Sequence, residues 1–329
     1  ASIEASLNLE TKALTGKISM IKIPVKTVSS VFTLGLNRII NSGDMSGNFI
    51  FGGSSGSPWI SGTFSGDNFE MEEFTVRKIT GELKANQSVI NLNNLRANPG
   101  REGKASGRVE YSPVDGSVKS DIIVDGFDVS QIKFIRNYNP SARGGAAGKI
   151  RISGRPSDIK ISGNIEIKKL YLNDKAPVGI KSEFAYDAEK LKITRFLVNK
   201  EYEMEGSLSF TGNKEMEFTV KAKEGNPEAL FGLLKIPYKK AGGAINGEMK
   251  IKGPLNELEG FGSFSADKFR YNDYLSDKTE MNFRFEKNRF VLERLAFLAG
   301  EDYLLVKGEC PLNRPIKFET ELEFKKNVL

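Results

Sequence analysis

Histidine is absent from all 329 residues, and cysteine and tryptophan occur once each. The chain also lacks any apolar run of about 18 residues. Each absence excludes something. Without imidazole the chain has neither the commonest general base near neutral pH nor the commonest metal ligand. Its one thiol, Cys310, rules out an internal disulfide framework. Cys310 sits in a Cys-Pro turn with no imidazole partner, which makes it a poor nucleophile. Without a long apolar run, no segment reads as a membrane-spanning helix. Charge of one sign is not concentrated either. Lys and Arg number 48 against 42 Asp and Glu, a net charge of +6. The basic residues alternate with Glu and apolar residues, as in Lys214-Glu215-Met216-Glu217-Phe218. No basic stripe with stacking aromatics exists, so no nucleic-acid partner is expected. A weak attraction to anionic membrane surfaces remains compatible with the charge.

One segment is a near miss for a phosphate loop, Gly144-Gly145-Ala146-Ala147-Gly148-Lys149. Its glycine spacing is one short, Ile150 stands where Ser or Thr is needed, and a strand pattern follows instead of a helix. Asn86-Gln87-Ser88 is a formal glycosylation sequon without a context that gives it meaning. The chain therefore reads as a non-enzyme with no cofactor and no metal site.

What is present is a repeat. Gly148, Gly154 and Gly163 sit in GKIRISGRPSDIKISG. Gly47, Gly53 and Gly62, and Gly247, Gly253 and Gly262, recur with the same internal spacings of 6 and 9 residues. The copies lie 101 and 99 residues apart. Around each anchor, apolar residues alternate with Lys, Glu, Ser and Thr, the period of strands with one apolar face. The expected apolar face begins with Phe49, Phe51, Phe64 and Phe69 in the first copy. In the second it comprises Ile150, Ile152, Ile159, Ile161 and Ile165, then Phe184, Tyr186, Ile193 and Phe196, then Leu208, Phe210, Met216, Phe218 and Val220. In the third it comprises Met249, Ile251, Phe264, Phe269, Phe283, Phe285 and Leu292.

Helical periods interrupt the strands at the unit boundaries. Pro24 opens an apolar three-or-four pattern that Asn41-Ser42-Gly43 stops. Asp128-Val129-Ser130-Gln131 is a capping-box pattern, with Val129, Ile132, Phe134 and Ile135 inward. Asn226-Pro227 caps a third helix, which Pro237 ends. The expected organisation is the end of a preceding repeat at 1–23, then repeats at 24–123, 124–223 and 224–329. Their helices lie at 24–41, 128–137 and 226–236, and their strands start at 47, 148 and 247. The chain opens and closes in the same phase of the repeat, which reads as a segment of a longer array.

The expected fold is all-β. One short helix per repeat can cover only part of an apolar sheet face, and such a face must be covered. Either each unit closes into a sandwich, as tandem immunoglobulin-like domains do, or the units join into one elongated curved sheet. The recurring helix and the missing Cys…Trp…Cys signature speak against immunoglobulin domains. The repeated glycines are expected to supply the bends of a curved sheet.

The strand–Gly–Arg/Pro–x–x–Ile–x–Gly turn, the amphipathic strands behind it and the short helix between units resemble the AsmA-like proteins of diderm bacterial envelopes, and among them the TamB branch. The resemblance covers the whole chain and implies a β-taco, a repeating β-groove, of which the chain would be a fragment of about three repeats. It implies a periplasmic conduit moving phospholipids between inner and outer membranes, with the residues named above lining the groove around acyl chains. It also implies an anchor in the inner membrane through a segment absent here, and an outer-membrane barrel protein as partner. The alternative within the same resemblance is an envelope scaffold that offers sheet edges to outer-membrane proteins during assembly.

Overall fold

The computed structural model describes residues 1–27, 40–54, 56–71, 74–99, 102–172, 177–254, 257–287, 289–312 and 319–325. The fold is all-β, and it forms two compact units, Ala1–Leu170 and Tyr171–Leu329. The first unit holds β1 (Ser2–Asn8), β2 (Ala13–Pro24), β3 (Ile40–Gly53), β4 (Trp59–Met71) and β5 (Thr75–Asn86). It continues with β6 (Ile90–Pro99), β7 (Lys104–Tyr111), β8 (Val118–Asp128), β9 (Gly145–Gly154) and β10 (Lys160–Leu170). A 3₁₀ turn (Val129–Gln131) and α1 (Lys133–Tyr138) link β8 to β9.

The second unit holds β11 (Val178–Tyr186), β12 (Lys190–Val198), β13 (Tyr202–Ser209), β14 (Glu215–Gly225) and β15 (Ala241–Pro254). It ends with β16 (Glu259–Tyr271), β17 (Tyr274–Glu286), β18 (Arg289–Ala299), β19 (Asp302–Pro311) and β20 (Glu319–Lys325). The helix α2 (Pro227–Leu234) links β14 to β15. The division at 170/171 falls inside the expected second repeat. Within each unit every strand pairs antiparallel with its sequence neighbours, so compactness and repeat phase need not coincide.

The repeat is visible in the pairing. Gly47 faces Phe64 across β3 and β4, Gly148 faces Ile165 across β9 and β10, and Gly247 faces Phe264 across β15 and β16. These strand pairs are six strands apart. The glycines closing β3, β9 and β15 share one backbone conformation, with φ of 104° at Gly53, 106° at Gly154 and 109° at Gly253. That region favours glycine.

Contrary to the sequence expectation, the anchor glycines do not sit at the register breaks, although other glycines do: Gly43, Gly126 and Gly243 each lie inside one. One set of β-bulges falls between Leu92 and Leu95, Ile193 and Phe196, and Leu292 and Leu295, on β6, β12 and β18. A second set falls between Met20 and Ile23, Val124 and Phe127, and Ala222 and Gly225, on β2, β8 and β14. An extra residue in one strand bends it and increases its twist.

The second set has a local logic. Its extra residues include Lys22, Gly126 and Glu224, all left-handed with φ of 46°, 64° and 50°. Lys22 N–H donates to Ser46 Oγ at 2.9 Å, and Glu224 N–H donates to Asn246 Oδ1 at 2.8 Å. Ala147 stands at the matching place in the middle copy and can accept nothing, and there the bulge residue is glycine. Gly126→Val is therefore expected to cost about 1–2 kcal/mol. Glu224→Gly should shift stability by less than about 1 kcal/mol. Urea unfolding of both variants checks the contrast.

Each second-set bulge leads into a helical residue that is fully buried: Val25, Val129 and Pro227. Residues 25–27 are helical, while the rest of the expected helix at 24–41, up to 39, lies outside the described residues. Asn41-Ser42-Gly43 belongs to β3. There Ser42 Oγ donates to the Glu70 carboxylate at 2.9 Å, and Gly43 lies beside the Phe69 ring. In the second link Asp128 does cap, accepting from Ser130 N–H at 3.0 Å. It caps a 3₁₀ turn, and Phe134, expected inward, is 73% exposed. In the third, Asn226 accepts from Glu228 N–H at 2.9 Å, and Lys235 closes α2 in a left-handed conformation.

Candidate functional site

Cross-strand partners share a face of a sheet, so the register sorts the side chains without ambiguity. In the first unit Phe49 pairs with Ile18 and Gly62, Phe51 with Gly16 and Ile60, and Phe64 with Gly47 and Gly81. Further along, Ile122 pairs with Ile150, Ile152 with Ile161, and Gly148 with Ile165. All of these lie on one face. On the other face Asn48 pairs with Thr63, Thr63 with Glu82, and Arg108 with Asp121, which pairs with Arg151.

The second unit repeats this sorting. Phe184 pairs with Ile193, Tyr186 with Leu191, Leu208 with Met216, and Met204 with Val220. Phe196 is on the same face, opposite Met204. Phe218 pairs with Gly206 and Ile251, and Val220 with Met249. Phe264 then pairs with Gly247 and Met281, Phe283 with Gly262 and Leu292, and Phe285 with Gly260. Opposite them lie pairs such as Glu217 with Lys252 and Lys221 with Glu248.

Two of the expected residues are not on a strand. Ile159 precedes β10, and Phe210 follows β13, exposed, with its ring edge-on to Tyr186 at 5.9 Å. Phe69 reaches the apolar face through the left-handed Asn68 (φ 56°), which only the structure reveals.

The face is a surface more than a core. Of the expected residues only Phe49, Phe69, Phe283 and Leu292 are buried. The others on strands are half-buried. Soluble proteins seldom leave more than about 300–600 Å² of contiguous apolar surface uncovered. Here half-buried apolar rows cross strand after strand in each unit. A closed sandwich would bury these rows on both sides, so neither unit reads as an immunoglobulin-like domain.

The mid-strand glycines belong to this face. A methyl group at Gly62 would run into the Phe49 ring, at Gly206 into Phe218, and at Gly262 into Phe283. Large rings lie flat over small partners, which keeps the surface smooth. Phe264 stacks on Phe283 with centroids 6.2 Å apart, and Phe283 meets Phe290 at 5.3 Å.

Helical links cover one end of the face. Val25 packs with Phe69 and Val76 in the first unit. In the second, Ala229 of α2 packs with Val178, Val198, Tyr202 and Ala222. Tyr202 donates its hydroxyl to the Asn226 carbonyl at 2.9 Å, and burial, with Glu201 nearby, pushes its pKa up.

The polar face carries ion pairs instead. Arg108 reaches Asp121 at 2.9 Å and Arg151 reaches it at 3.3 Å. The Arg108 hydrogen bond chiefly holds the Asp121 carboxyl below its ordinary range. These groups are exposed, and such pairs contribute little to stability. Among the described residues no group of acidic or thiol ligands could hold a metal ion. The chain matches no family model, no curated protein and no solved structure.

Proposed function

We propose that the chain is a hydrophobic conduit that carries phospholipid acyl chains along its open apolar sheet face, in the manner of the AsmA-like proteins it resembles. The observation that carries this reading is the continuity of one half-buried apolar face across consecutive strands, opposite a face of alternating charges. Withdrawing about fifteen methylenes from a bilayer into water costs roughly 12 kcal/mol. A trough of Ile, Leu, Phe, Met and Val offsets that cost at every step, while the headgroup stays in water. The face carries no charged side chain at the named positions, and the polar groups that interrupt it are small hydroxyls such as Ser120, between Val109 and Ile152; a strong polar site would hold the cargo. No redox group, metal or proton relay enters such a process.

The reading places the protein in a diderm cell envelope, working between inner and outer membranes. A membrane anchor and an outer-membrane barrel partner belong to it by resemblance only. A second reading, a scaffold receiving client strands, rests on the edges: among the described residues β1 pairs only with β2, and β20 only with β19.

Photocrosslinkers at Phe218 and Ile161 separate the two. Lipid adducts at both positions are expected for the conduit. Protein adducts alone, concentrated along β1 or β20, would replace it with the scaffold.

A further inference from the structure

The link between β8 and β9 turns aromatic side chains outward. Phe134 is 73% exposed and Tyr138 50%. They stand one turn apart on α1 and so share one side of the helix. This display is held in place. Val129 before α1, and Asn139 and Ala142 after it, are buried and pin the link from beneath. It does not come from a free sheet edge either, because β8 pairs with β7 and β9, and β9 with β8 and β10. The other link, α2, covers its aromatic ring. There Phe231 lies edge-on to Tyr238 and Tyr271, with centroids 5.8 and 5.9 Å away.

Positive charge accompanies the rings. Lys133, Arg136 and Arg143 are exposed on the same link. No acidic residue occurs between Asp128 and Asp158, and Asp128 is engaged in capping the 3₁₀ turn. The second unit repeats the combination on a smaller scale. Leu234, at the end of α2, is 58% exposed, Lys235, Lys239 and Lys240 follow it, and no acid occurs from 229 to 247.

We propose that α1 and its flanking residues are a docking surface for an anionic phospholipid bilayer, with Phe134 and Tyr138 entering the headgroup layer while Lys133, Arg136 and Arg143 meet lipid phosphates. The charge argues for this occupant. An uncharged apolar partner would use the two rings but gain nothing from an acid-free, cationic surround. An anionic surface gains from both, at about fivefold in affinity for each cation close to it. Aromatic rings favour the boundary between headgroups and acyl chains. A helix of six residues is too short to span the bilayer and can only lie along its surface. The inference does not rest on the conduit, because it concerns headgroup charge at a bilayer surface and not acyl chains on the sheet.

The test uses the 329-residue chain carrying Trp59→Phe and Phe134→Trp, which leaves a single tryptophan on α1. Vesicles of equal parts phosphatidylglycerol and phosphatidylcholine should shift its emission to the blue, and lipid brominated on its acyl chains should quench it. Phosphatidylcholine vesicles alone should bind more than about tenfold more weakly. Lys133→Glu combined with Arg136→Glu should weaken binding to the mixed vesicles by more than about tenfold, with the circular dichroism unchanged. Phe218→Asp, on the apolar face of the second unit, should leave that binding as it was. Equal affinity for both kinds of vesicle would overturn the proposal. So would affinity indifferent to the charge-reversed pair, or an emission that no vesicle shifts. A blue shift produced by soluble polyglutamate, with none from vesicles, would assign the surface to an acidic protein instead.

Discussion

Phe218→Asp is expected to slow phospholipid transfer between vesicles about a hundredfold while the chain still folds. Phe218 is half-buried in the middle of the apolar face, between Gly206 and Ile251. A carboxylate there must stay hydrated, so the acyl chain passing it loses apolar contact over three or four methylenes. At about 0.8 kcal/mol each that loss is near 3 kcal/mol, and 1.36 kcal/mol is a factor of ten in rate. Ile161→Asp and Phe184→Asp should act the same way, since each lies on the apolar face of its own unit. Glu217→Ala, one residue along on the charged face, should leave transfer unchanged. The position is open enough to water that the fold should survive, with a lowered thermal midpoint. Equal transfer by Phe218→Asp and the unmodified chain would remove the face from the mechanism.

Val129→Asp is expected to have the largest effect on stability. Val129 is 1% exposed at the first position after the bulged end of β8. A carboxylate there has no cation to pair with in the same turn, and an uncompensated buried charge costs about 3–5 kcal/mol. Phe134→Asp, only five residues on, should change stability by less than about 0.5 kcal/mol because that ring already faces solvent. Thermal unfolding followed by circular dichroism separates the two. Equal midpoints would mean that the link between β8 and β9 is not pinned at Val129.

The alternation of apolar and charged residues makes the two faces legible in the sequence itself. Lys252 opposite Glu217 and Ile251 opposite Phe218 are what a period of two predicts once the strand register is known. The glycine anchors were legible as positions but not as roles. Gly53, Gly154 and Gly253 use a conformation special to glycine, as does Gly247 in the third copy, whereas Gly62 and Gly262 are small so that a ring can lie over them. The bulges were not legible. Lys22 and Glu224 look like ordinary solvent-facing strand residues, and their left-handed conformation depends on acceptors, Ser46 and Asn246, more than 20 residues away in sequence. The buried trio Val25, Val129 and Pro227 carried a faint signal, since each follows Pro, Asp or Asn at a helix start. Spacings of 104 and 98 residues, unlike the 101 and 99 of the anchors, hid their equivalence. Phe134 misled because a capping-box pattern predicts an α-helix, and a 3₁₀ turn rotates the following side chains differently.

Native mass spectrometry of the purified chain tests the conduit most directly. If the apolar face holds acyl chains, the chain carries co-purified phospholipid of mixed species, and Phe218→Asp carries markedly less. A chain that emerges free of lipid, and takes up none from phospholipid vesicles, would contradict the account.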